Sequence, residues 1–129
     1  MNIKLLFIAG LLLFSSVAFV SPKNPAPKKM LRHVVLFKFK DSATPAQVKE
    51  VEDAFRKLPS QVKEVKGFEW GTNNSPEGLD QGFTHVFFVS FESEAAREVY
   101  LPHPAHKAFV KVLEPHLDKV LVVDYWTKE

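Results

Sequence analysis

The chain has 129 residues, of which 46% are hydrophobic and 12% aromatic, and its formal net charge is +2. This length suits one domain of ordinary core size and leaves no room for a second. The near-neutral charge, without a concentrated basic run from Leu31 to Glu129, excludes a nucleic-acid interface. The absence of cysteine excludes disulfides, thiolate nucleophiles and cysteine metal sites.

The first twenty residues predict a secretory signal peptide. They carry one lysine, Lys4, continue as an uncharged apolar block from Leu5, and end in small residues, Ser16 and Ala18, that suit cleavage after Ala18. An uncleaved membrane anchor is the alternative, but residues 5–20 are short against the roughly 20 residues that cross a bilayer. We therefore expect an exported protein, periplasmic or secreted, with no membrane attachment once the leader is removed.

Residues 21–29, SPKNPAPKK, form the next segment. Their three prolines and three lysines cannot build a core and predict an extended, solvated linker. The folded domain, residues 30–129, is therefore expected to begin near Met30.

The domain opens with a predicted strand in MLRHVVLFKFK. Alternate residues of this strand share one face: His33, Val35, Phe37 and Phe39. Thr44, Pro45 and Gln47 then supply an N-cap, a first-turn proline and a capping-box partner for a helix that extends to about Leu58. The buried stripe of this helix is expected to contain Val48, Val51, Phe55 and Leu58.

Two further strands are predicted over residues 65–73 and 83–91, and the second is apolar on both sides, as is typical of a central strand. A short helix over residues 94–100 follows, capped by the preceding serine and ended by a proline. A second helical segment covers residues 104–116, and residues 119–126 form the last strand.

The order β-α-β-β-α-β predicts an α+β ferredoxin-like fold, with a four-stranded antiparallel sheet and helices on one face. The other face should then be polar. Instead, apolar side chains fall there: Val34, Leu36, Val86, Phe88, Leu121, Val123 and Tyr125. We expect a second copy of the chain to cover this face, so that two sheets pack together in a homodimer.

The stretch YLPHPAH, residues 100–106, places a phenol and two imidazoles between two helical segments. His106 begins a helix that packs on the sheet face carrying His33 and His85, so these histidines are expected to converge on one apolar layer. Such a group suits proton abstraction from a carbon next to a carbonyl. His106 would act as the base and Tyr100 as the hydrogen-bond donor to the developing oxyanion.

Two alternatives stay open for these histidines. In the first, His103 caps a helix while His33 and His85 are core residues bonded to carbonyl groups. In the second, His103 and His106 bind a metal together with a strand histidine. Because no carboxylate sits at an obvious ligand spacing, we expect no metal, and the proton-transfer chemistry requires no cofactor.

Several motifs, HVVLFKFKD, WGTN, EGLDQGFTHVFFVSFES, YLPHPAH and VVDYW, resemble the stress-responsive A/B barrel domain family in order and spacing. The resemblance covers residues 30–126 and implies a dimeric α/β barrel. The resemblance to a plant polyketide cyclase of that family implies catalytic roles for Tyr100 and His106 and pocket positions for His33 and His85. It also implies that Phe55 stands where the cyclase closes its pocket with a tyrosine.

We therefore expect a small hydrophobic pocket that binds an apolar or aromatic carbonyl compound. The residues expected to contact this ligand are His33, Val35, Phe55, His85, Phe87, Leu101, His103, Phe109 and Val122. Two functions stay open: a lyase-like or cyclase-like enzyme, and a non-enzymatic stress or assembly protein whose oligomer is the function. Export argues against polyketide cyclisation itself, because thioester intermediates are made inside the cell.

Overall fold

The computed structural model describes residues 28–128. The predicted signal peptide and most of the predicted linker lie outside the described residues. Over residues 28–128, no helix combines the length and the apolar composition that a membrane crossing requires.

Strands and helices follow one another in the predicted order. The elements are β1 (Leu31–Phe39), α1 (Pro45–Gln61), β2 (Gly67–Thr72), β3 (His85–Phe91), α2 (Glu94–Tyr100), α3 (Pro104–Leu113), a 3-10 turn (Glu114–His116) and β4 (Leu117–Trp126). The strands form one antiparallel sheet in the order β2-β3-β1-β4, with β1 and β3 at the centre. This arrangement confirms the predicted ferredoxin-like α+β fold.

Helix α1 begins with the predicted capping box. The Thr44 hydroxyl accepts a hydrogen bond from the Gln47 N–H at 3.2 Å, and the Gln47 side chain accepts one from the Thr44 N–H at 2.9 Å. The helix ends later than predicted, because Pro59 lies in its last turn and costs only one backbone hydrogen bond there. The Val62 N–H still donates to the Leu58 carbonyl and closes that turn.

The second helical segment ends earlier than predicted. Helix α3 ends at Leu113, and the chain tightens into a 3-10 turn that contains Pro115. A proline has no N–H to donate, so an α-helix gains little from continuing through this position. Strand β4 consequently begins at Leu117, two residues before the predicted start at Lys119.

The helices pack on one face of the sheet and enclose a core rich in phenylalanine. Its members are Leu31, Val35, Phe37, Val51, Phe55, Leu58, Val62, Phe87, Val89, Phe91, Tyr100, Phe109 and Leu113. The predicted core position Val48 is only half-buried. On the opposite face, Leu121, Val123 and Tyr125 of β4 are between 43% and 48% exposed. This exposure agrees with the apolar outer surface predicted from the sequence.

Strand β4 is also uncovered on its helix side. Val120 and Val122 point toward the helical layer, yet each is 49% exposed. The helices therefore stop short of this edge strand, and a cavity opens between them and β4.

Candidate functional site

The cavity has a volume of about 580 Å³ and lies between α2, α3, β1 and β4. Its inner wall is apolar and includes Val35, Phe37, Phe55 and Phe109. Cavities of this size, with an apolar wall and a few polar groups, are typical of sites for small organic molecules. The polar groups are therefore the part of the cavity that indicates its chemistry.

Tyr100 supplies the first of these groups. It is the last residue of α2 and is fully buried, and within the described residues its hydroxyl has no hydrogen-bond partner. Burial raises the pKa of the phenol far above its usual value, so the hydroxyl keeps its proton. A buried donor without an acceptor is costly, and a ligand oxygen in the cavity would relieve that cost.

His106 lies beside Tyr100, with 4.6 Å between the two ring centroids. Its Nδ1 is 2.8 Å from the Leu101 carbonyl oxygen. Because a carbonyl oxygen can only accept, Nδ1 carries the proton and Nε2 presents a lone pair. Burial lowers the pKa of His106, and repulsion between its charged form and His33 and His103 lowers the pKa further, against the opposing effect of the Leu101 hydrogen bond. His106 is therefore suited to accept a proton near neutral pH.

His33 forms another wall of the cavity. Its Nδ1 donates to Asp124 Oδ1 at 2.7 Å, and Asp124 Oδ2 accepts a hydrogen bond from Arg97 at 2.6 Å. The β1–β4 register places His33 directly opposite Asp124. The imidazole meets the Tyr100 ring edge-on, with 6.0 Å between centroids. The phenol thus has an imidazole on each of two neighbouring elements, β1 and α3.

His85 does not line this cavity. Its Nε2 is 2.9 Å from Glu52 Oε1, and its Nδ1 is 2.8 Å from the Thr84 hydroxyl. In the sheet register His85 pairs with Phe37, four residues along β1 from His33, which corresponds to about 13 Å. The expected convergence of His33 and His106 is therefore present, whereas His85 belongs to a separate cluster.

Two other predicted contact residues also lie away from the cavity. The His103 Nδ1 accepts a hydrogen bond from the Ala105 N–H at 3.1 Å, and His103 is the N-cap of α3. This is the capping role that the sequence left open. Phe87 is fully buried beneath Phe55, with 4.2 Å between the ring centroids. Within residues 28–128, no group of three or more His, Cys, Asp or Glu side chains could hold a metal ion.

Most of the predicted site residues do line the cavity. They are His33, Val35, Phe55, Tyr100, Leu101, His106, Phe109 and Val122. The sequence did not identify Arg97 and Asp124, which also line it. Asp124 is two residues from Val122, so strand alternation could have assigned both to the same face. The place of Asp124 opposite His33 depends on the strand register, which the sequence pattern does not predict.

Comparison with known proteins identifies the family of this chain. Residues 31–127 match the family described as Stress responsive A/B Barrel Domain. Over 98 residues the chain is 41% identical to the stress-response A/B barrel domain-containing protein HS1 of Arabidopsis thaliana, covering 76% of this chain and 90% of that protein. Over 95 residues it is 33% identical to olivetolic acid cyclase of Cannabis sativa, covering 74% of this chain and 94% of the cyclase.

Solved structures with the same fold include an enzyme and a dimer. The hydroxynitrile lyase from Passiflora edulis matches with a TM-score of 0.74 and 28% identity, over 80% of this chain and 97% of the lyase. A dimeric ferredoxin-like protein of unknown function from Thermobifida fusca matches with a TM-score of 0.65 and 29% identity, over 77% of this chain and 92% of that one.

Proposed function

This chain belongs to the stress-responsive A/B barrel domain family, and from that premise we propose that its cavity binds a small apolar or aromatic carbonyl compound and catalyses proton transfer on it. One observation carries this proposal: a buried Tyr100 hydroxyl without a partner stands beside a histidine whose Nε2 lone pair is free within the described residues. A carbonyl oxygen would give that hydroxyl the acceptor it lacks.

The proposed reaction begins with the His106 Nε2 taking a proton from the carbon next to the carbonyl. The electron pair of the broken C–H bond moves into the carbonyl group and forms an enolate oxygen. Tyr100 donates a hydrogen bond to that oxygen as negative charge develops on it. The Tyr100 O–H group is already in place in the cavity before this charge develops. The protonated His106 exchanges its proton with solvent and then protonates the enolate carbon, which restores the C–H bond and the carbonyl group. The similarity of this chain to a cyclase and to a lyase supports an enzymatic function.

Hydrogen exchange tests both steps directly. Acetophenone in D₂O should exchange its methyl hydrogens faster with the protein than in buffer alone, as followed by proton NMR. We expect His106→Gln to abolish the accelerated exchange, and Tyr100→Phe to slow it by about 10²- to 10³-fold, the typical effect of removing an oxyanion donor.

Matched variants control for general effects of substitution. Tyr125 and His116 lie outside the cavity lining, so Tyr125→Phe and His116→Gln should leave exchange unchanged. If wild-type protein binds acetophenone without accelerating exchange, the catalytic part of the proposal is wrong. If Tyr100→Phe and His106→Gln also leave acetophenone binding unchanged, the binding part is wrong as well.

We further propose a homodimer in which the outer faces of two sheets pack together. The exposed apolar side chains of β4 support it, because a soluble monomer rarely leaves such a surface uncovered, and the similar protein from Thermobifida fusca is dimeric. The folded domain should therefore have the solution mass of two chains. Val123→Glu should produce monomers, whereas Leu79→Glu, at a side chain that is 74% exposed, should not.

The non-enzymatic alternative depends on the same outer face, since a stable assembly could itself be the function. The variants already described separate the two functions. If Tyr100→Phe and His106→Gln destabilise the dimer without changing acetophenone binding or exchange, assembly is the better account of these residues.

Export stays part of the proposal, supported by the sequence of residues 1–20. Recovery of the intact N-terminus from the exported or membrane fraction would contradict leader cleavage.

A further inference from the structure

The carboxylate of Asp124 is shared between two elements that border the cavity. Oδ1 accepts from His33 on β1 at 2.7 Å, and Oδ2 accepts from Arg97 on α2 at 2.6 Å. Resting on the function proposed above, we propose that Arg97 is a positioning residue, which acts through Asp124 to hold the His33 imidazole in one orientation and one tautomer.

The position of Asp124 explains why it needs a second partner. It lies on β4, an edge strand whose neighbours Val122 and Val123 are each about half exposed. A carboxylate at such an edge can turn toward solvent, because water competes well for an exposed anion. Arg97 and Asp124 are 23% and 22% exposed, and their contact keeps the second oxygen occupied. Rotation of the carboxylate away from His33 would then break this ion pair too.

His33 and His106 differ in how their rings are fixed. The Nδ1 of His106 is held by a backbone carbonyl, which cannot rotate independently of the chain. The Nδ1 of His33 is held by a side chain, and only the contact with Arg97 makes that side chain a fixed acceptor. Arg97 thereby gives His33 the same arrangement that His106 has, with a proton on Nδ1 and Nε2 left for the cavity.

Nitrogen-15 NMR of the histidine rings measures this arrangement. In the wild-type protein near neutral pH, His33 should show one state with hydrogen on Nδ1. Arg97→Gln removes the cation, and His33 should then show a mixture of states while the His106 signals stay unchanged. Arg97→Lys keeps a cation within reach of Asp124 and should restore most of the wild-type spectrum. Lys49→Gln, which breaks the exposed Lys49–Asp53 ion pair on α1, is the matched control.

Asp124→Asn provides a second, nearly isosteric test. An amide offers one acceptor oxygen to two donors, Arg97 and His33, so this variant should also lose the single His33 state. Because Arg97 is proposed to act through Asp124, adding Arg97→Gln to Asp124→Asn should change little more. Acetophenone affinity should follow the same pattern, with a loss of about fivefold in either single variant and no further loss in the double variant.

Specific outcomes would overturn this inference. An unchanged His33 spectrum in Arg97→Gln, or in Asp124→Asn if the first variant does not fold, would show that Arg97 does not position the ring. If Arg97→Gln changed the His33 spectrum and the acetophenone affinity as much in the Asp124→Asn background as in the wild-type protein, Arg97 would act by a route other than Asp124. Failure of the wild-type protein to bind acetophenone would contradict the proposed function instead, since the NMR result does not depend on a ligand.

Discussion

His33 and His85 occupy the same face of the same sheet with nearly equal burial, 6% and 7% exposed, yet their surroundings differ completely. Both ring nitrogens of His85 have partners, Glu52 and Thr84. His33 has one bonded nitrogen and borders a cavity that also contains an unpartnered phenol. Burial and strand face therefore do not distinguish these two histidines, whereas the complete set of hydrogen bonds does.

The two ends of the sheet differ because different elements cover them. At His85, α1 supplies Glu52, the Trp70 ring stacks nearly parallel to the imidazole, and Phe39 meets it edge-on. At His33, the nearest edge strand is β4, which the helices leave open. A closed aromatic cluster stabilises the fold, and an open edge leaves space for a ligand. Substitutions at the two ends should therefore have opposite consequences.

The largest effect on stability is expected from His85→Ala. We expect the free energy of unfolding to fall by about 2–4 kcal/mol, because the substitution leaves Glu52 without its partner and opens a void beside Trp70. Acetophenone binding should stay as in the wild-type protein. Chemical denaturation, followed by tryptophan fluorescence, measures the first quantity, and ligand-observed NMR measures the second.

His116→Gln serves as the control for this comparison, since His116 belongs to neither cluster, and it should change stability by less than about 0.5 kcal/mol. A loss of binding in His85→Ala as large as that in His106→Gln would mean that the two ends act as one site. The distinction between the two histidine clusters would then be wrong.

A smaller and opposite effect is expected from Tyr100→Phe. This variant removes a buried hydroxyl that has no partner in residues 28–128, so the free energy of unfolding should stay the same or rise by up to about 1 kcal/mol. Acetophenone affinity should fall by about tenfold, the usual contribution of one hydrogen bond. Thermal unfolding and ligand titration of the same samples give both numbers.

Tyr125→Phe is the matched control, because its ring lies on the outer sheet face. If Tyr100→Phe destabilised the protein by more than about 1 kcal/mol, the hydroxyl would have a partner in the free protein. Tyr100 would then resemble His85, and the contrast between a satisfied and an unsatisfied cluster would disappear.

The sequence predicted those parts of the fold that depend on local patterns. The alternation of His33, Val35 and Phe37 identified the buried face of β1, and Thr44 with Gln47 identified the start of α1. Such signals act over a few residues and need no knowledge of the tertiary structure. Family resemblance added the pairing of Tyr100 with His106, which the structure places in contact.

The sequence did not predict where residues of one strand lie relative to residues of the neighbouring strands. Alternation assigns His33 and His85 to one face, but it does not reveal that they lie at opposite ends of that face. Nor does it show that Asp124 lies opposite His33, or that Arg97 reaches Asp124 from α2. A register shift by two residues preserves the face pattern while changing every neighbour, so only the paired strands distinguish these possibilities.

The smallest expected effect is on the pH dependence of stability, through His106. Its pKa is lower in the folded protein than in the unfolded chain, so below about pH 6.5 the unfolded chain binds more protons. Stability should therefore fall as pH decreases from that value toward the lower pKa of the folded state. The effect should be modest, because the ring is half-buried and solvent screens its charge.

His106→Gln should remove this contribution and leave a shallower decline in the free energy of unfolding on the acidic side. The difference between variant and wild type isolates His106 from the other histidines, whose titration both proteins share, and His116→Gln shows what a histidine outside the cavity contributes. An equal slope in His106→Gln and the wild type would mean that His106 takes up its proton as readily in the folded protein as in the unfolded chain. The ring would then be solvated like a surface histidine, and the cavity beside Tyr100 would lack the dry environment that a proton-transfer site requires.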